Sequence, residues 1–237
     1  LAGSGTLGLL IPPSIILIIY GVTIEDSIAK LFMAGILPGI MLAVMFMLYV
    51  IFWSILNKKL MPKSTKKFSF VEKVQGSKQL LPVIFLITAV IGSIYTGIAT
   101  ATEAASLGVV GALILSFFQG TLSKKTFNLS LLGATKTSCM IAFIIAGSTF
   151  LSLAMGFTGL PRNLAIWIDG MNLSPYTLLF VLTIFYIILG MFLDGISAVV
   201  LTMAIIEPMI RQAGFDMIWF GIYLVIVVEM AQITPPV

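Results

Sequence analysis

The residues able to do chemistry in this sequence are few, and they lie inside apolar runs. Pro12 and Pro13 sit mid-way along GTLGLLIPPSIILIIYG, residues 5–21. Proline removes a backbone donor and clashes with the preceding turn, so a helix breaks there. A break at membrane depth strands polar backbone groups and is tolerated where it lines a protein cavity. The freed carbonyls suit a cation, and half-helix N-termini favour an anion. Around this break Gly3, Ser4, Gly5, Thr6 and Gly8 are small and let a ligand approach the backbone. The Ser4 and Thr6 hydroxyls add oxygens that suit a hard monovalent cation such as Na⁺. A proline kink used only for packing is the plainer alternative.

Three acids raise the same question. Asp194 stands in GMFLDGISA with apolar residues on both sides, and an intramembrane ionisable residue is a functional candidate by default. Asp194 either caps a following helix through the amide of Ser197 or helps to hold a cation, and the two roles can coexist. Glu103, in TATEAASLG, reads as an acid at a helix N-terminus. Glu229 precedes a second proline pair in VVEMAQITPP and reads equally as a site residue or a buried structural pair. Glu72 is the one acid among seven lysines in 57–79. Lys30 and Arg211 read as interfacial anchors, since long cations snorkel. The chain has no histidine and a single cysteine, Cys139. An internal disulfide, a histidine or multi-cysteine metal centre and a histidine-based triad are thereby excluded. Cys139, in an apolar run, reads as a small packing residue.

The elements that must position these residues cross a membrane. The 237 residues are 59% hydrophobic and 9% charged, whereas soluble domains are about 25% charged. A span needs about 20 apolar residues. Such segments run over 1–22 (broken), 28–56, 80–98, 104–119, 137–157, 175–193 and 217–234, with a short piece at 196–206. The lysine-rich loop 57–79 belongs in the cytoplasm by the positive-inside rule. Counting spans then puts the loop with Lys124, Lys125 and Lys136 on the same side. It puts Glu25 and Asp26, and the loop with Arg162 and Asp169, outside. The 11 residues of 196–206 give only about 16 Å of helix, too short to span. The expectation is a re-entrant hairpin: 175–193 enters, turns near Asp194 and Gly195, and 196–206 returns to an outer loop with Glu207, Arg211 and Asp216.

The proline pair occurs twice, in GLLIPPS (8–14) and QITPPV (232–237). By the span count the two segments run in opposite directions. Opposed similar segments point to an inverted repeat, a recurrent architecture of secondary transporters. The expected fold is an all-α polytopic membrane protein with Pro-Pro broken helices and re-entrant hairpins. A chain opening on Leu1 within an apolar run and stopping just after Pro236 reads as a piece of a longer protein.

These stretches carry a resemblance. GSGTLGLLIPPSIILIIYG (3–21), SIAKLFMAGILPGIML (27–42), GIATATEAASLGVV (97–110), GMFLDGISAVVL (190–201) and ITPPV (233–237) resemble, in order and spacing, the large DctM-like membrane subunit of tripartite ATP-independent periplasmic (TRAP) transporters. TATEAA stands where TPTEAA is more usual, which touches no site. The resemblance implies an inverted-repeat elevator-type transporter with a mobile transport domain and a scaffold. It implies import of an organic acid, such as a C4-dicarboxylate, across the bacterial inner membrane by Na⁺ symport. It also implies two partners, a DctQ-like small four-helix membrane subunit and a DctP-like periplasmic binding protein. Carried over by motif position, Na⁺ falls to Ser4, Gly5, Thr6, Gly8, Asp194, Gly195, Thr234 and Pro235. The substrate carboxylate falls to Gly3, Ser4, Pro12, Pro13, Ser197 and Pro236. Within one membrane domain over 1–237, residues 1–22 form the broken helix of the transport domain. Residues 28–136 form scaffold and connecting helices, and 137–174 a connecting helix and outer loop. Residues 175–237 form the second hairpin and second broken helix. No cofactor beyond Na⁺ as coupling ion, no transition metal, no enzymatic activity and no nucleic acid are expected.

A binding-protein-independent Na⁺/dicarboxylate or anion symporter of related fold is the alternative. A channel would show a filter repeat or a charged ring, and neither is visible. An enzyme would show a catalytic constellation, and none is found.

Overall fold

The computed structural model describes residues 2–58, 72, 76–170 and 174–233. Most of the loop 57–79 lies outside the described residues, as do Thr234, Pro235 and Pro236. Described elements are helices: α1 Ala2–Thr6, a 3₁₀ turn at Leu7–Leu9, α2 Ile15–Thr23, α3 Ile28–Leu56, α4 Leu81–Tyr95, α5 Ala101–Phe118, α6 Lys124–Thr158, α7 Leu160–Gly170, α8 Pro175–Gly190, α9 Gly195–Gln212 and α10 Met217–Ile233. Four of them, α3, α5, α6 and α9, are long and apolar enough to cross a membrane. The chain is an all-α polytopic membrane protein. Its exposed surface carries large apolar side chains such as Leu37, Phe85, Phe118, Phe143 and Phe157, which suits lipid rather than water.

Two compact units divide the chain, Leu1–Leu42 with Leu132–Val237, and Ala43–Leu131. The second unit contains the α4–α5 hairpin. Leu86 and Val90 on α4 pack where Gly111 and Gly108 on α5 leave room. The turn between them closes at Gly97, whose φ of 73° is left-handed and free of steric penalty only for glycine. Thr100 then caps α5 in a reciprocal box: Glu103 N donates to Thr100 Oγ1 at 3.3 Å, and Thr100 N donates to Glu103 Oε2 at 2.8 Å. Glu103 is thus the helix-terminal acid expected, with Thr100 as its partner.

The first unit holds most of the buried side chains. Helix α10 is its centre, packed by α1, the 3₁₀ turn, α2, α8 and α9. Buried hydroxyls pin this layer. Tyr20 Oη on α2 donates to Met217 O at 2.6 Å. Tyr186 Oη on α8 meets Thr202 Oγ1 on α9 at 2.7 Å. Tyr223 Oη on α10 donates to Leu179 O on α8 at 2.8 Å. Ser148 Oγ on α6 donates to Val200 O on α9 at 2.7 Å. With hydrocarbon around the protein, each bond satisfies a group that has no water to turn to.

Several sequence expectations need correction. Helix α6 begins at Lys124 and not near Thr137, so Lys124, Lys125 and Lys136 lie on a helix rather than in a loop. Its 35 residues make about 52 Å, beyond the roughly 30 Å hydrocarbon layer. A helix needs no apolar composition once started, and Ser123 starts this one by accepting from Thr126 N at 3.1 Å. Residues 160–170, expected in an outer loop, form α7, which packs on α9. Helix α9 extends to Gln212, 18 residues in all, so Glu207 and Arg211 belong to it and the length argument for a short return limb fails. The stripe Ala198, Thr202, Met203, Ile206, Met209 and Ile210 stays buried past Glu207, at the three- and four-residue spacing that holds a helix together. Glu207 and Arg211 pair one turn apart at 2.9 Å. Asp216 does stay outside the helices and caps α10 by accepting from Trp219 N at 2.8 Å. Cys139, expected to pack, is exposed.

Candidate functional site

The break before α2 is built by Pro12, Pro13 and Ser14. In a continuous helix the amide of residue 13 would donate to the Leu9 carbonyl, and Pro13 has no amide hydrogen to give. Ser14 replaces it: its hydroxyl donates to Leu9 O. The same oxygen accepts from Leu17 N at 3.2 Å and caps α2. Ser14 is fully buried, so water does not compete for these bonds. Pro12 likewise withholds a donor from the Gly8 carbonyl four residues back. Ser14 was not among the sequence-derived site residues. Its signal was present, because a serine directly after a helix break and before an apolar run is a preferred N-cap.

Helix α3 makes room for this irregular backbone. A Cβ at Gly35 would lie 3.0 Å from Leu10 O, and one at Gly39 would lie 2.7 Å from Ile11 Cγ1. Two glycines one turn apart form a groove in which residues 10 and 11 lie. Thr6 Oγ1 donates to Gly3 O at 3.1 Å and keeps its own lone pairs. A Cβ at Gly5 or Gly8 would meet nothing within 4 Å, so the backbone at both is approachable. Pro12 is buried and Pro13 exposed. Ser4 lies on α1.

The α8–α9 connection forms the facing part. Asp194 caps α9: its Oδ2 accepts from Ile196 N at 3.1 Å and Ser197 N at 3.2 Å, and its Oδ1 from Ser197 Oγ at 2.5 Å. The capping role read from the sequence is present, with Ser197 as a double partner. Gly195 sits where a Cβ would come within 2.9 Å of Gln232 Nε2, Ile16 Cδ1 and Val228 Cγ1. The tip therefore presses on the start of α2 and on the last turns of α10. Beside it a cavity of about 350 Å³ is lined by Gly190, Met191, Phe192, Leu193, Asp194 and Gln232. The structure thus brings Gly195 against the helix that follows the first break. The second proline pair follows the end of α10 and Thr234 in the chain and lies outside the described residues.

Glu229 on α10 closes the arrangement. It is 4% exposed. Its Oε1 has no hydrogen-bond partner, and Arg211, the cation of neighbouring α9, is paired with Glu207 instead. The structural-pair reading of Glu229 accordingly finds no cation paired with it among the described residues. No cluster of acids, cysteines or histidines able to hold a transition metal occurs among the described residues.

Freed carbonyls at a helix break and a hairpin tip packed beside it are transporter features, and a buried acid in an apolar layer is a functional candidate. The family model for the DctM component of the tripartite ATP-independent periplasmic transporters matches residues 1–237. The chain belongs to that family. The DctM-family chain is 32% identical over 235 residues to the C4-dicarboxylate TRAP transporter large permease protein DctM of Pseudomonas aeruginosa, covering 99% of this chain and 54% of that protein. It is 31% identical over 240 residues to the 2,3-diketo-L-gulonate TRAP transporter large permease protein YiaN of Escherichia coli, covering 100% of this chain and 55% of that protein. It is 29% identical over 238 residues to the ectoine/5-hydroxyectoine TRAP transporter large permease protein UehC of Ruegeria pomeroyi, covering 100% and 55%. The chain spans about half the length of the curated relatives it matches.

Proposed function

We propose that this DctM-family chain carries one half of the translocation site of a Na⁺-coupled importer of organic acids. The observation that carries the reading is the packing of Gly195, at the α8–α9 tip, against Ile16 of α2 and Val228 and Gln232 of α10. Hairpin tip, first break and the helix leading to the second proline pair meet in one unit. Relatives named for C4-dicarboxylate and diketogulonate transport supply the substrate class. In this reading Na⁺ lies on carbonyls near Gly5 and Gly8 and near Gly195 and Pro235, with Ser4, Thr6 and Thr234 hydroxyls assisting. The substrate carboxylate sits between the hairpin tip and the breaks, near Gly3, Pro12, Ser197 and Pro236. Asp194 acts chiefly as the cap that fixes Gly195 and Ser197, since its carboxylate oxygens accept three bonds within its own turn.

The loaded domain then slides past a scaffold by an elevator motion. A binding protein delivers substrate from the periplasm and a small membrane subunit braces the scaffold. The protein lies in the bacterial inner membrane with loop 57–79 in the cytoplasm, on the strength of its seven lysines.

Reconstitution tests this. The full-length protein with its small membrane partner is placed in liposomes, and uptake of labelled carboxylates is followed under an inward Na⁺ gradient, with and without the binding protein. The expected result is uptake that needs both. Uptake with Na⁺ alone moves the protein to the stand-alone symporter class. Uptake indifferent to Na⁺ refutes the coupling.

A further inference from the structure

A cavity of about 400 Å³ opens where the end of α6, the start of α7 and the last turns of α9 meet. Gly156 and Gly159 line it, with Arg162 and Ile166 of α7 and Pro208 and Gln212 of α9. All of them belong to the first compact unit. The room comes from missing side chains. A Cβ at Gly156 would meet nothing within 4 Å, and Gly159, at a φ of 70°, turns the corner between α6 and α7.

The surroundings place this cavity at the boundary between hydrocarbon and water. Glu207 and Arg211, next to Pro208 and Gln212 on α9, pair in a solvent-accessible position. The chain then turns at Gly214, and Asp216 beyond it is exposed. Charges at the end of an apolar helix reach for the interface. On the other side the wall is apolar and unpartnered. Phe150, Leu153 and Phe157 are exposed and, at three- and four-residue spacing, share one face of α6. Ile166 and Trp167 of α7 are exposed as well, and tryptophan is enriched at this depth of a membrane protein.

Arg162 is the cation of the cavity. Glu207 and Arg211 neutralise each other, whereas Arg162 has no ion pair among the described residues and is exposed. Its guanidinium presents donors in a flat fork that matches phosphate oxygens, and Gln212 lines the same cavity with a further amide donor. A small free anion would use Arg162 and leave the apolar face of α6 idle. A phospholipid uses both.

We propose that this cavity binds an anionic phospholipid, with its phosphodiester on Arg162 and Gln212 and an acyl chain along the Phe150, Leu153 and Phe157 face of α6. One uncompensated positive charge complements a headgroup whose single charge is the phosphodiester. The bound lipid bridges the ends of α6, α7 and α9.

The test uses the full-length protein purified with its small membrane partner in detergent and stripped of loosely held lipid. Phosphatidylglycerol, phosphatidylcholine and inorganic phosphate are titrated in separate arms. Bound lipid is counted by native mass spectrometry, and melting temperature is followed in parallel. The wild type should hold one phosphatidylglycerol more per chain than Arg162→Gln, which should need roughly tenfold more lipid to regain it. Arg162→Lys keeps the charge without the fork and should fall between the two. Gly156→Phe fills the cavity with Arg162 intact and should lose the same lipid. Its new Cβ meets nothing within 4 Å, and phenylalanine is a better helix former than glycine, so without lipid it should melt as the wild type does. Equal retention of phosphatidylglycerol by the wild type and a folded Arg162→Gln or Gly156→Phe overturns the proposal. Wild-type retention of phosphatidylcholine equal to that of phosphatidylglycerol overturns it too, because the charge would then select nothing. Inorganic phosphate that displaces the lipid and stabilises the protein through Arg162 marks a small-anion site and overturns the lipid assignment.

Discussion

Replacing Ser14 with alanine tests how the first break is held. Ser14 does two jobs with one hydroxyl, donating to Leu9 O and accepting from Leu17 N at 3.2 Å. Loss of an N-cap side chain costs about 1 kcal/mol. Leaving a buried carbonyl without its donor adds about 1–3 kcal/mol. Full burial of Ser14 means that water does not take over, so Ser14→Ala should destabilise by about 2–4 kcal/mol. Ser174 is the internal control. It caps α8 by accepting from Thr177 N at 3.2 Å and is exposed, so Ser174→Ala should cost only about 1 kcal/mol. Thermal unfolding of the full-length protein in detergent, followed by loss of the monodisperse chromatographic peak, compares the two variants directly. The melting temperature of Ser14→Ala should fall about twice as far or more, and uptake should fall with it below the transition. Equal shifts for the two variants would refute the argument, because the Leu9 carbonyl would then not depend on Ser14.

Other substitutions probe the surrounding contacts. Gly195→Ala places a Cβ 2.9 Å from Gln232, Ile16 and Val228; overpacking of this kind costs about 1–3 kcal/mol, and uptake should drop more than expression, which a Gly147→Ala control on α6, where a Cβ meets nothing within 4 Å, would not reproduce in uptake. Gly39→Val should push Ile11 off α3 and lower thermal stability by a similar amount, read by the same unfolding assay. Tyr20→Phe removes the bond to Met217 O and should cost about 1 kcal/mol; no change in melting temperature would show that the bond has no net value. Thr100→Ala breaks the reciprocal cap of α5 and should destabilise by about 1 kcal/mol without altering Na⁺ dependence, measured as the half-saturating Na⁺ concentration for uptake.

The sequence alone was enough for the class of protein and for the place of the first break. A chain with 59% hydrophobic and 9% charged residues has no soluble solution, and a proline pair interrupts a helix wherever it stands. Both are local properties, independent of what packs where. The capping role of Asp194 and the helix-start position of Glu103 were legible for the same reason, since both depend on a few neighbouring residues; that Glu103 closes a reciprocal box with Thr100 came from the structure. Helix ends were less legible where composition and packing disagree. Lys124, Lys125 and Lys136 read as loop, yet polar residues extend α6 without difficulty. Glu207 read as lying beyond α9, yet the stripe through Met209 and Ile210 stays buried past it.

What only the tertiary structure decided is which distant residues meet. Gly35 and Gly39 look like ordinary small residues on a long span until Leu10 and Ile11 lie across them. Glu229 left two readings open, because a buried acid is a pair or a site according to its neighbours, and α10 packs against several elements far apart in the chain. Backbone chemistry is written locally and can be read one turn at a time. Burial and countercharge are sums over segments far apart in the chain, and they take definite values only once those segments have packed.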